Sequence, residues 1–165
     1  MSRIVIETPR LLLREWEPED VDDMCILSAD PRVMRYITDG SPITRAQTEE
    51  SISRLRMTSQ IEMGWWLHPD LWGRGLATEA GRAAVDFCFG TIGFRRLVCM
   101  VHPENAASLK VAANVRFTPA NEFDWEGMTL IRHVADNPLI DVAEDPRFVR
   151  DCDGAPSGSS IRPSS

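Results

Sequence analysis

A chain of 165 residues with 43% hydrophobic content suits one compact domain built on a single core. Its net charge of −7 argues against nucleic acid, which needs a basic face, and favours cationic partners such as amines or basic peptide termini. No apolar run approaches the ~20 residues of a membrane span and the N-terminus lacks a signal-peptide block, so no membrane contact and a cytoplasmic location are expected.

In chain order, Ile4 to Trp16 reads as extended on either side of Thr8-Pro9-Arg10, most strongly at Leu11 to Leu13. Pro18 begins a helix, because Glu17-Pro18-Glu19-Asp20 puts proline and acids in a first turn, and Val21, Met24, Cys25 and Ser28 recur at helical spacing toward Asp30-Pro31. Thr44-Arg45-Ala46-Gln47 has the form of a capping box and opens a second helix running to about Met57. Ile61 to Leu67 reads as a strand. Ala77 to about Phe89 reads as a helix with Ala80, Ala84, Phe87 and Cys88 on one apolar face, ended by Gly90 to Gly93.

Arg96 to Val101 reads as a buried strand, and Asn105 caps a short helix with Leu109, Val111, Ala112 and Val115 inward. Phe117 to Phe123 and Gly127 to Val134 form two further strands, turning near Trp125-Glu126-Gly127. From Asp136 prolines recur, and Ser157-Gly158-Ser159-Ser160 is poor in apolar residues. The reading is a domain over 1–135 and an irregular tail over 136–165, its last fifteen or so residues disordered.

The chemistry concentrates between Ile61 and Ala80, where a short apolar strand, a tight glycine bend and a helix start follow one another. Gly73 and Gly75 let the backbone turn sharply and approach a ligand, while the helix that follows aims unpaired N–H donors and a partial positive charge at the same point. A phosphate-bearing cofactor fits such a place. The chain has no Gly-x-x-x-x-Gly-Lys-Ser/Thr, and Thr78 replaces the third glycine of the dinucleotide fingerprint, so two familiar phosphate motifs are excluded. Because the protein as a whole repels a polyanion, a local basic island is needed, supplied by Arg74, the helix terminus and Lys110. Cys25, Cys88, Cys99 and Cys152 form no CxxC pair, and His68, His102 and His133 lack metal-ligand spacing, so neither a disulfide framework nor a metal is expected.

Pro69-Asp70-Leu71-Trp72-Gly73-Arg74-Gly75-Leu76-Ala77-Thr78-Glu79-Ala80 resembles the acetyl-CoA loop of the GNAT N-acetyltransferases, in the form used by the RimJ/RimL-like branch. Glu7-Thr8-Pro9-Arg10-Leu11-Leu12-Leu13-Arg14 is similar to that branch's opening strand, and His102 to Val111 to its Asn-x-x-Ser helix start. Phe117-Thr118-Pro119 and Leu130-Ile131-Arg132 sit where its last strands begin and end.

The resemblance covers most of residues 4 to 135. It implies an α/β (α+β) fold, a GNAT-like mixed central sheet with flanking helices. It also implies acetyl-CoA as donor and direct attack by an amine, from a small molecule or a protein N-terminus. The cofactor would be held by backbone N–H groups of Trp66, Leu67 and His68, by the bend from Trp72 through Gly73, Arg74, Gly75, Leu76 and Ala77 to Thr78, and by Asn105 and Lys110.

Such a transfer needs a base for the ammonium proton, donors for the oxyanion and an acid for the departing thiolate. Glu62 is read either as that base, raised in pKa by the cleft, or as a solvated strand carboxylate. The family's frequent tyrosine acid corresponds here to Ala112, and the only tyrosine, Tyr36, is remote in sequence. Ser108 is read as the acid or as a plain helix-start cap. Trp16, Trp65 and Trp125 suit core packing or an aromatic pocket for a cation.

The chain also departs from the family. Two strands and a turn need about a dozen positions, but only Thr58, Ser59 and Gln60 separate Met57 from Ile61. Either the second helix region is itself strand, or the sheet is shortened, leaving an open apolar edge beside Trp65 and Trp66 and inviting a homodimer or a weakly stable monomer. Arg116 stands where the family has a left-handed glycine, at about 1 kcal/mol. Three readings follow: an active N-acetyltransferase, a decayed member that binds CoA or a partner without turnover, and an unrelated phosphate-binding domain.

Overall fold

Two short strands open the chain and fold back on each other in the computed structural model, which describes residues 4–38, 40–55, 61–125 and 127–140. Ile4–Glu7 (β1) pairs antiparallel with Leu12–Arg14 (β2). The turn between them is tied by Thr8, whose N–H donates to the Leu11 carbonyl at 2.9 Å and whose hydroxyl accepts from the Leu11 N–H at 2.9 Å. This pair forms a small sheet of its own.

Three helices follow. Asp20–Ala29 (α1) starts two residues later than Pro18, because Asp20 accepts from the Glu17 N–H at 2.7 Å and from Arg14, holding Glu17 to Asp20 as a turn. Those hydrogen bonds, Arg14 first, pull the Asp20 carboxyl down to about 2. Pro31–Met34 (α2) is a single turn that the sequence reading did not resolve, started by proline and capped by Asp30, which accepts from the Arg32 N–H at 2.8 Å. Arg45–Leu55 (α3) begins with a reciprocal capping box: Thr44 N–H donates to Gln47 Oε1 at 2.8 Å and Gln47 N–H to Thr44 Oγ1 at 3.3 Å. α1 and α3 pack through a buried Ser28–Thr48 hydroxyl pair 3.0 Å apart. The expected end of this helix at Met57, and residues 58–60, lie outside the described residues.

The main sheet holds Arg96–Val101 (β3), Thr118–Trp125 (β4) and Met128–Asp136 (β5), antiparallel in the order β3-β5-β4. Ile61 to Met63 adds a parallel bridge at Glu62–Val98, with Met63 N–H donating to the Val98 carbonyl at 2.8 Å, so the sheet is mixed. The strand expected over Ile61 to Leu67 is thus one bridge long. Residues 64–68 pair with no strand among the described residues. Trp65 and Trp66 are half-buried, and Trp65 packs on the core, so they do not form the exposed apolar edge foreseen from sequence.

Leu76–Phe87 (α4), continued by a wide turn at Cys88–Ile92, and Ala106–Asn114 (α5) cover one face of this sheet. The core is Val85 and Phe89, Leu97, Cys99 and Val101 of β3, Ala112, Val115 and Phe117, and Ala135. α4 and α5 meet closely at Gly81, where a Cβ would stand 2.9 Å from Val115 Cγ1. α5 ends in a Schellman motif: Phe117 N–H donates to the Ala112 carbonyl at 3.0 Å and Arg116 N–H to the Ala113 carbonyl at 3.3 Å. Arg116 takes φ 73°, the left-handed conformation anticipated there.

The boundary read at 135 falls inside β5. Asn137 beyond it is buried, and its amide donates to the Phe89 and Phe94 carbonyls at 3.2 and 2.9 Å. Residues 141–165, including Cys152, lie outside the described residues. Among the described residues no helix is long and apolar enough to cross a membrane.

Candidate active site

The cleft side of the sheet is defined by alternation. Ile61, Met63 and Trp65 pack on the core with Leu97, Cys99 and Val101, so Glu62 faces the opposite side, in register with Val98 and, through β5, Val134. Glu62 is open to solvent on one side and enclosed by protein on the others, and this partial desolvation raises its pKa. It also lies within electrostatic range of Cys99, whose thiol is pushed up to about 12, first by burial and then by Glu62. Next to Glu62, a Cβ at Gly64 would meet nothing within 4 Å, so open space continues along the strand.

Beyond Met63 the chain leaves the ladder. Among the described residues the N–H groups of Trp66, Leu67 and His68 find no backbone acceptor. The Leu67 carbonyl accepts from the Trp72 indole N–H at 2.9 Å, which folds the entry of the glycine bend back on the strand. A 3₁₀ turn at Pro69–Leu71, not foreseen, is started by His68, whose Nδ1 accepts from the Asp70 N–H at 3.3 Å.

Gly73 and Gly75 have φ 73° and 75°. A Cβ on Gly73 would meet nothing within 4 Å, so left-handed backbone, not crowding by the protein, is what calls for glycine there. Gly75 is the N-cap of α4, which begins at Leu76, one residue earlier than expected. The N–H groups of Leu76, Ala77 and Thr78 at the start of α4 and those of Gly73, Arg74 and Gly75 have no backbone acceptor among the described residues, while the Glu79 N–H donates to the Gly75 carbonyl at 3.0 Å. Arg74 and Lys110 are exposed, Arg74 on the bend and Lys110 on α5 beside α4.

The opposite wall is the start of α5. Asn105 Oδ1 accepts from the Ser108 N–H at 3.1 Å, a cap. Ser108 Oγ accepts from the Trp65 indole N–H at 3.2 Å, which leaves the serine's own O–H without a protein acceptor among the described residues. Ala112 is fully buried in the core, so its own side chain offers no acid to the cleft. Tyr36, remote in sequence, stacks on His102 with ring centroids 5.2 Å apart, at the end of β3. Sequence reasoning missed this pair and also the clasp of Thr8 and Arg10 on Glu79 of α4, in which Thr8 Oγ1 donates to Glu79 Oε1 at 2.7 Å. A polar Thr-x-Arg at a strand turn and a glutamate in a helix's first turn were the only signals.

The sequence matches the Acetyltransferase (GNAT) domain family over two overlapping stretches, residues 10–60 and 51–118, which meet where the strand pair has no room. It is 28% identical over 167 residues to the uncharacterised N-acetyltransferase p20 of Bacillus licheniformis, across 82% of this chain and 90% of that protein. Among solved structures, it is similar to a GNAT-family acetyltransferase from Bacillus anthracis, with a TM-score of 0.66 and 21% identity over 83% of this chain and 99% of that one. It is also similar to RimL, the ribosomal L7/L12 alpha-N-protein acetyltransferase in complex with coenzyme A, with a TM-score of 0.67 and 15% identity over 81% and 98% of the two chains. At these identities the structural likeness shows a shared fold.

Proposed function

The chain belongs to the GNAT acetyltransferase family, and from that premise we propose that it moves an acetyl group from acetyl-CoA to a primary amine on a small molecule or a protein N-terminus, in the cytoplasm. The observation that carries this reading is the glycine bend. Two left-handed glycines lead into the N-terminus of α4 with their amides unengaged by backbone, a cradle that suits a diphosphate.

In this reading the Gly73 to Thr78 amides hold the diphosphate, with Arg74 and Lys110 as the basic island. The extended N–H groups of Trp66 to His68 hold the pantetheine and take up charge on the thioester oxygen. Glu62, raised in pKa by its enclosure, accepts the proton of the incoming ammonium. The amine nitrogen then bonds to the acetyl carbon, the tetrahedral oxygen collapses, and the C–S bond breaks. The Ser108 O–H, whose oxygen is oriented by the Trp65 indole, gives its proton to the leaving thiolate, and the serine oxygen takes up in exchange the second proton that the acetylated nitrogen sheds.

A second reading is favoured by one observation, the single bridge at Glu62 that replaces a full strand. It makes the chain a member that binds CoA without turnover. Calorimetric titration with acetyl-CoA, followed by a thiol-release assay on small amines and on peptides with free N-termini, separates the two. Binding with turnover supports the enzyme, binding alone the second reading, and no binding removes both.

A further inference from the structure

The peptide joining Arg74 to Gly75 is held from behind the bend. Arg10, in the β1–β2 turn, donates from Nη1 to the Arg74 carbonyl at 3.0 Å. Its Nε donates to Glu79 Oε2 at 2.6 Å, and its Nη2 pairs with the same oxygen at 2.5 Å. Glu79 is itself fixed, since Oε1 accepts from Thr8 Oγ1 at 2.7 Å and from the Arg10 N–H at 3.1 Å. Each edge of this guanidinium therefore has an assigned partner, and the turn, the bend and the first turn of α4 are locked together.

Two consequences follow from elementary chemistry. A peptide unit is planar and trans, so its C=O and N–H point in opposite directions. With the Arg74 carbonyl drawn to Arg10, the Gly75 N–H must point away from Arg10, to the far side of the bend. Second, Glu79 suits the positive end of α4 but would repel a diphosphate bound there. Arg10 opposes that charge at contact distance, and hydrogen bonds from Thr8 and Arg10 hold the Glu79 carboxyl below the usual range.

We propose that Arg10 is the positioning residue of the cofactor cradle: it aims the Gly75 N–H at the diphosphate and screens Glu79, without itself touching the reacting atoms. The inference rests on reading the bend as the CoA cradle, and it adds a residue 64 positions upstream of Arg74 to that site.

The test uses Arg10→Lys and Arg10→Ala in the full chain, with acetyl-CoA and, separately, acetyl-pantetheine, a donor that lacks the diphosphate. Lysine keeps a cation beside Glu79 but cannot fork between a carboxylate and a carbonyl. The expected result is a KM for acetyl-CoA raised roughly tenfold in Arg10→Lys, the worth of one charge-assisted hydrogen bond, and more in Arg10→Ala. The KM for the amine, the rate with acetyl-pantetheine and the melting temperature of Arg10→Lys should stay near wild type. An equal loss with both donors would make Arg10 a general staple and overturn the proposal. Wild-type affinity in both Arg10 variants, while Gly75→Glu loses acetyl-CoA, would overturn it and leave the cradle standing. Wild-type affinity in all three variants would remove the cradle as well. If Arg10→Ala fails to fold, Arg10→Lys decides.

Discussion

The Trp65 indole N–H donates to Ser108 Oγ at 3.2 Å, joining the extended cleft segment to the first turn of α5. Because the serine accepts there, its proton points elsewhere, and in the proposed reaction it goes to the leaving thiolate. Ser108→Ala should lower kcat about 10²–10⁴-fold, the usual weight of a lost general acid, with acetyl-CoA affinity unchanged. Trp65→Phe, which keeps the packing and removes the donor, should cost less. Steady-state kinetics of both variants check this, and wild-type kcat in Ser108→Ala would exclude it as the acid.

Glu62 must be ionised to accept a proton, and its enclosure raises its pKa above the ordinary glutamate value. Activity limited by Glu62 therefore falls as pH drops through that raised pKa and is fully developed above it. Glu62→Gln should flatten this acid limb and reduce kcat/KM by about 10²–10⁴-fold. The check is a pH profile of kcat/KM for both proteins, and an unchanged acid limb in Glu62→Gln would assign it to another group.

Gly81 lies where α4 crosses Val115, which is buried and branched. Gly81→Ala gains about 1 kcal/mol of helix propensity but overpacks the contact by about 1–3 kcal/mol, a net loss of up to ~2 kcal/mol. Adding Val115→Ala should make the alanine at 81 favourable. Thermal melts of the two single variants and the double variant give the coupling, and additive effects would refute the contact.

Arg116 holds φ 73° at the Schellman position after α5, and its pairing with Asp86 is long, 3.9 Å, and exposed on both sides. Arg116→Gly removes the left-handed strain and loses little else, so it should stabilise by about 1 kcal/mol, or roughly 2–4 °C in Tm for a chain of this size. A lower Tm would show that the arginine's contacts outweigh the strain.

Elements set by local rules were legible in the sequence. The Thr44–Gln47 box, the Asn105 cap and the helix after the glycine bend follow from residues within one turn of each other, whereas the left-handed position of Arg116 was legible only through the family resemblance. What needed distant partners was not. Ile61 to Leu67 is apolar enough for a strand, yet a ladder requires neighbours, and among the described residues only Val98 supplies one. The grip of Arg10 on Glu79 spans 69 positions, and Tyr36 meets His102 from a distant part of the chain, so neither leaves a periodic trace.

The account rests on main-chain amides at the bend holding the diphosphate, and amide NMR reads this directly. On addition of CoA, the Gly73, Gly75, Leu76 and Ala77 N–H resonances should shift most, and they should move little with pantetheine alone. Saturating CoA that shifts other residues but leaves those four in place would contradict it.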